Sequence, residues 1–155
     1  MAMMPSDKPL NALAKGLMAR LRPSRDTDQL TVITTYFNPC GYASRRRNYD
    51  LFMDGMRKDG VKCVTIECAF GDEPFELPES LDVIKVRSKT LLWQKERLLN
   101  LAASWLPTSC KYVAWLDCDI LFDNTHWARD LVRVLEQHKV AQVFETCIRL
   151  EKGDV

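Results

Sequence analysis

The sequence predicts an α/β fold, a mainly parallel sheet with helices on both faces, from three observations. Short apolar runs rich in β-branched residues recur between residues 30 and 146, amphipathic stretches at helical spacing lie between them, and Pro and Gly punctuate the joins. Strands that alternate with helices pair in parallel through crossovers, and those crossovers cover the sheet on both sides.

Residues 1–28 stand apart as an N-terminal segment. Leu10, Leu13, Leu17 and Leu21 fall at helical spacing, Lys8, Lys15, Arg20 and Arg22 take other faces, and Pro23 ends the pattern. This basic amphipathic helix is short and weakly apolar, so docking or fraying is expected ahead of lying on a membrane surface. Leu30 to Thr35 is a buried strand that breaks at Asn38-Pro39. A helix over 43–58 follows, striped by Tyr49, Phe52, Met53 and Met56 and ended by Gly60.

Lys62 to Cys68 is the second strand, Gly71 to Pro78 a loop, and Leu81 to Val86 the third strand. Leu91, Leu92, Leu98, Leu99, Ala102 and Trp105 mark a helix stopped by Pro107. Tyr112 to Leu116 is the fourth strand. Trp127, Leu131, Val134 and Leu135 stripe a helix opened near Asn124 or Thr125, and Val140 to Thr146 is the fifth strand. Residues 29–155 thus read as one domain, and the carboxyl ends of its strands should open on a shared cleft.

Composition agrees with this plan and excludes some functions. The 155 residues are 46% hydrophobic and 28% charged, the balance of a globular protein. A formal net charge of +1 provides no field to steer the molecule to nucleic acid. No apolar run reaches the roughly 20 residues of a membrane span, and the N-terminus lacks the pattern of a secretory signal. A cytoplasmic chain is therefore expected, peripheral to a membrane at most. The six cysteines contain no CxxC pair and the two histidines complete no zinc pattern, which points to reduced core thiols.

The stretch Tyr112 to Phe122 carries the chemistry, because Asp117 and Asp119 interrupt an otherwise apolar run. Two adjacent carboxylates would each lose hydration and repel the other if buried unpaired. A divalent cation removes both objections, and hard oxygens suit Mg²⁺ or Mn²⁺ with positions left open for a diphosphate. The alternative is a turn or helix-capping pair. A hydrophobic strand directly ahead, and a place at the sheet's ligand-binding edge, favour the metal. Asp123, ahead of a helix, reads as structural.

Together, Leu30 to Thr35, Lys62 to Cys68, the helix start Trp93-Gln94-Lys95-Glu96-Arg97-Leu98-Leu99-Asn100 and the run Trp115-Leu116-Asp117-Cys118-Asp119 resemble the donor-binding half of GT-A type glycosyltransferases. The likeness spans most of residues 29–146. It implies a Rossmann-like GT-A fold, a nucleotide-diphosphate sugar as donor, and Mn²⁺ or Mg²⁺ held by Asp119 with Asp117 on the ribose or the metal. It also implies that the loop after the first strand, from Thr34 to Asn38 and so including Thr35 and Tyr36, borders the nucleotide. Glu67, ending the second strand, would bind base or ribose; alternatively it partners Lys62 or is solvated.

A basic residue and an asparagine on the helix before the DxD strand would contact the donor, as Lys95 or Arg97 with Asn100. Lys95 and Asn100 lie about 140° apart on a helix, which favours Arg97. Arg45 to Arg47 could meet phosphate, though such a run is more often a solvated face.

The expected activity is sugar transfer to an unidentified hydroxyl acceptor on a glycan, lipid or protein. No catalytic base is legible before Val155, so the domain reads as truncated relative to that family. Two alternatives stand beside it. Haloacid-dehalogenase-like phosphatases also carry a DxD after a strand, but small and hydroxylated residues usually follow it where Ile120 and Leu121 stand here. The other is a non-catalytic half-domain that binds a partner.

Overall fold

The computed structural model describes residues 26–151. The amphipathic pattern of Leu10 to Leu21 lies outside them. A 3-10 turn (Asp26–Gln29) leads into β1 (Leu30–Tyr36), α1 (Ala43–Asp59), β2 (Lys62–Phe70), β3 (Val83–Ser88), α2 (Lys95–Trp105), β4 (Tyr112–Trp115) and α3 (Trp127–Leu135). The strands form one sheet in the order β3-β2-β1-β4, and every pairing is parallel.

Burial explains why β1 and β2 read as unbroken apolar or small runs: both are central, and every residue of β1 is buried. Alternate residues serve opposite faces. Leu30, Val32 and Tyr36 join Tyr49, Phe52 and Met56 of α1 and Trp127, Ala128, Leu131 and Val132 of α3 in one core. Ile33, Val64 and Ile66 face the other way, against Leu98, Leu99 and Ala102 of α2. The sheet is therefore flanked by helices on both faces, a Rossmann-like arrangement.

Local signals fix the helix ends. Gly60 takes a left-handed φ of 69°, and the Gly60 and Val61 amides return to the Arg57 and Met56 carbonyls at 3.1 and 2.9 Å. Leu106, held extended ahead of Pro107, closes α2. Ahead of α3 the Asn124 side chain accepts from the His126 amide at 2.8 Å and donates to Asp130 at 3.1 Å, while the N-cap is His126, so the helix opens slightly later than the Asn124 or Thr125 expected.

Three expectations need correction. Val140 to Thr146 forms no strand. Its Ala141 and Val143 pack on the α1/α3 core, and the Gln142 side chain donates to the Phe144 carbonyl at 2.9 Å, a local bond that competes with a ladder. Leu91 and Leu92 do not belong to α2. They are exposed in a loop that Ser88 ties through the Thr90 amide and carbonyl, and the helix begins at Lys95. The third strand starts at Val83, two residues late, because the Asp82 carbonyl accepts from Thr65 at 2.8 Å while Leu81 points to solvent. Among the described residues, no helix is long and apolar enough to cross a membrane.

Candidate functional site

The strand order reverses at β1. The chain runs outward from β1 through β2 to β3, then returns through α2 to lay β4 on the other side of β1. In parallel sheets such a reversal leaves a crevice beyond the carboxyl ends of the two strands that flank it. Here those ends are tied together, because the buried Thr34 hydroxyl donates to the Leu116 carbonyl at 2.8 Å and the Leu116 amide to the Ile33 carbonyl at 3.2 Å.

The alternation of β4 continues beyond its last ladder pair. Ala114, Leu116 and Cys118 stay buried, and Asp117 and Asp119 face out. Both acids consequently line one recess of about 130 Å³, together with Thr35 and Phe37 from the end of β1. The carboxylates are half-exposed, at 52% and 42%, so the burial cost that pointed to a metal is smaller than their apolar neighbours suggest.

Each acid has a cation. Lys95, the first residue of α2, pairs through Nζ with Asp117 Oδ1. Arg45, in the first turn of α1, lies 3.7 Å from Asp119 and stacks over the Phe37 ring at 5.5 Å. The turn that delivers Arg45 depends on Asn38, whose side chain accepts from the Tyr42 amide at 2.9 Å, and on Gly41, whose φ of 64° suits glycine. Trp93 meets Phe37 edge-on at 5.8 Å and completes an aromatic wall. Gln94 holds that loop by donating to Ser88 at 2.8 Å.

Of the residues the sequence singled out, Thr35, Asp117 and Asp119 come together in the recess, and Arg97, Asn100, Tyr36 and Glu67 lie outside it. Arg97 and Asn100 are exposed on α2, and the basic residue brought to the site is Lys95. Tyr36 is buried and its hydroxyl donates to Glu76; burial first, then that carboxylate, raises the phenol well above its ordinary value. Glu67, beside Tyr36 in the β1–β2 register, is 2% exposed and accepts from the Glu76 and Leu77 amides through one oxygen. Its other oxygen has no hydrogen-bond partner. Glu67 thus anchors the 71–78 loop, and neither Lys62 nor solvent is its partner.

Phe37 falls within the Thr34 to Asn38 loop expected to border the nucleotide, whereas the sequence assigns Trp93 no role and ranks Lys95 and Arg45 second. The arginine run divides three ways: Arg45 turns to the recess, Arg46 donates to Asp50 at 3.0 Å and to the Glu76 carbonyl at 2.7 Å, and Arg47 is exposed.

Asp117 and Asp119 offer hard carboxylate oxygens at an open recess, which suits Mg²⁺ or Mn²⁺ drawing further ligands from water and a diphosphate. Among the described residues, no group of three or more His, Cys, Asp or Glu side chains could hold a metal by itself. Between the two acids, the Cys118 side chain is buried in the core, and burial pushes its thiol up to about 11. No protein-family model matches this chain, and no curated protein or solved structure does.

Proposed function

We propose that this chain is the donor-binding part of a metal-dependent GT-A type glycosyltransferase, which takes its sugar from a nucleotide-diphosphate sugar. The observation that carries the reading is the meeting of Asp117, Asp119, Lys95 and Arg45 in one recess at the reversal of a parallel sheet. A diphosphate needs both signs of charge around it: acids to share a cation with it, and bases to meet its remaining oxygens.

Transfer breaks the bond between the anomeric carbon and a phosphate oxygen, so negative charge grows on the departing diphosphate. A divalent cation, when bound, stabilises that charge as a Lewis acid. Asp119 and Asp117 would hold the ion, Lys95 and Arg45 would meet phosphate oxygens, and Thr35 would border the nucleotide at the end of β1. The recess of about 130 Å³ suits the diphosphate and metal and is small for a whole nucleotide sugar. The sugar and base therefore extend from it along the open edge, where Trp93 and Phe37 offer ring faces or edges.

The test is a panel of nucleotide sugars screened for thermal stabilisation of the chain with Mn²⁺ or Mg²⁺ and again in excess chelator. A ligand at about 100 times its Kd should stabilise the fold by about 2.7 kcal/mol. Stabilisation by no nucleotide sugar defeats the donor reading. Equal stabilisation in chelator defeats the metal.

A further inference from the structure

Arg45 reaches the recess from the start of α1, where the N-cap residue Tyr42 makes no side-chain cap hydrogen bond. That start hangs instead on Asn38, and Asn38 hangs on the 71–78 loop: the Glu76 carboxylate accepts from the Asn38 side-chain amide at 3.2 Å and from the Tyr36 hydroxyl. We infer that Glu76 is a positioning residue of the recess, which sets the place of Arg45 by orienting Asn38. The inference rests on the donor-binding reading and adds to it a loop that the reading does not use.

Hydrogen-bond chemistry dictates the orientation. The side-chain amide of asparagine donates at one end and accepts at the other, whereas a carboxylate only accepts. Glu76 therefore selects the arrangement that turns Nδ2 of Asn38 towards itself. Oδ1 is then left to accept from the Tyr42 amide at 2.9 Å, and the Tyr42 carbonyl in turn accepts from the Arg45 amide at 3.0 Å. Nδ2 also donates to the Tyr42 carbonyl at 3.2 Å, so Asn38 grips both polar groups of that backbone unit. With the amide reversed, Oδ1 would face two acceptors and Nδ2 a donor, and the turn would lose its hold on Tyr42.

Glu76 can serve as the fixed point because its own backbone is held. Its amide donates to the buried Glu67 carboxylate, its carbonyl accepts from Arg46 Nη1 at 2.7 Å, and the adjoining Leu77 is buried in the α1/α3 core. Tyr36, the other donor to its carboxylate, is buried at the end of β1 and packs edge-on against Tyr49 of α1 at 5.1 Å. The acid thus joins β1, β2 and α1 where the chain turns towards the recess. Arg45 itself is held more loosely there, 3.7 Å from Asp119 and 5.5 Å from the Phe37 ring centre, so its reach depends on where its backbone starts.

Titration calorimetry with inorganic pyrophosphate at saturating Mn²⁺, beside residue-resolved hydrogen exchange, tests the role. Glu76→Ala removes the charge and the hydrogen bonds, whereas Glu76→Gln removes the charge and keeps an oxygen to accept from Asn38 and Tyr36. By field alone both should favour an anion, because each deletes a negative charge. Positioning predicts the reverse for one of them. Glu76→Ala should weaken pyrophosphate by about 2- to 10-fold, the cost of immobilising one long side chain on binding, and should speed exchange of the Tyr42 amide. Glu76→Gln should do neither. In an Arg45→Gln background Glu76→Ala should weaken binding no further, since it acts through Arg45, whereas a merely structural role would add equally in both backgrounds. Both changes at Glu76 leave its backbone bonds to Glu67 and Arg46 in place, and melting curves verify that the variants are folded. Binding that Glu76→Ala does not weaken, equal weakening in both backgrounds, or unchanged Tyr42 exchange overturns this inference alone. If the unaltered chain does not bind pyrophosphate even with Mn²⁺, the donor-binding reading falls and takes the inference with it.

Discussion

Cys118 lies between the two acids of the recess and points away from them, into the core beside Leu116. That inversion is what a D-x-D spacing means at the end of a strand: a period of two places both carboxylates on one side and the residue between them on the other. The acids themselves were legible as breaks in an apolar run, but the alternation that turns Cys118 inward appears only in the burial of Ala114, Leu116 and Cys118. Lys95 and Arg45 were not legible, because no periodicity links residues 22 or 74 positions away to the acids they meet; only the return of α2 and the Asn38 turn bring them there. Three predictions belong at this scale. Asp119→Asn should weaken metal-dependent diphosphate binding by at least about tenfold, with a stability change below about 1 kcal/mol because its ion pair is half-exposed. Asp123→Asn, exposed four residues ahead of α3, should leave binding unchanged and shift stability by no more than about 1 kcal/mol. Calorimetry and melting of the two variants side by side decide it, and early melting of both would make the acids structural. In the same protein, iodoacetamide should label the exposed Cys40 and Cys147 and spare Cys118, whose thiol is buried and held protonated; mass spectrometry of the labelled chain reads the result.

Elements whose signal is local were predicted well, and those that depend on a partner were not. The 43–58 helix emerged as Ala43–Asp59 because its apolar stripe and its terminal glycine are both properties of the segment. Val140 to Thr146 has the composition of a strand, but a strand exists only through its ladder, and β4 pairs along Tyr112–Trp115 with β1 alone. Leu91 and Leu92 extended the apolar pattern of α2 backwards, yet Ser88 and Thr90 close a polar turn just ahead of them. The two glycines of α1 separate these kinds of signal in one experiment. Gly55 lies within the helix and a Cβ there would meet nothing within 4 Å, so Gly55→Ala should stabilise the fold by about 0.5–1 kcal/mol. Gly60→Ala must adopt a φ of 69° and should destabilise it by about 1–2 kcal/mol. Urea unfolding of both variants checks the opposite signs, and equal signs would mean that α1 does not end at Gly60.

For the whole molecule, the α/β class and parallel pairing followed from alternation, whereas the order β3-β2-β1-β4 did not. Which side of β1 receives β4 depends on contacts across 82 residues, such as Thr34 to Leu116, that leave no periodic trace. The same burial that makes the sheet central makes its acidic groups reluctant to ionise. Cys63 is held neutral by burial, its thiol raised from an ordinary value of 9.0 to about 12, and burial likewise raises Cys118 to about 11 and the Tyr49 phenol from 10.0 to about 12. In each case the folded value lies above the unfolded one. The stability these groups contribute is complete below the unfolded value and declines as pH rises towards the folded value. For the two thiols that window opens near pH 9 and closes near 11 to 12, with a slope of about 1.4 kcal/mol per pH unit for each thiol. Tyr49 adds to the decline only above about pH 10. Urea midpoints should therefore fall between pH 9 and 10, where the thiols act first, and Cys63→Val should make that fall shallower because valine has no proton to lose. A surface ion pair such as Arg57–Asp54 contributes little to either slope, being exposed and screened. Repeating the series in high salt separates the causes: a decline driven by buried thiols persists, whereas one driven by surface charge is suppressed, and a salt-sensitive decline unchanged by Cys63→Val would show that the thiols are not its source.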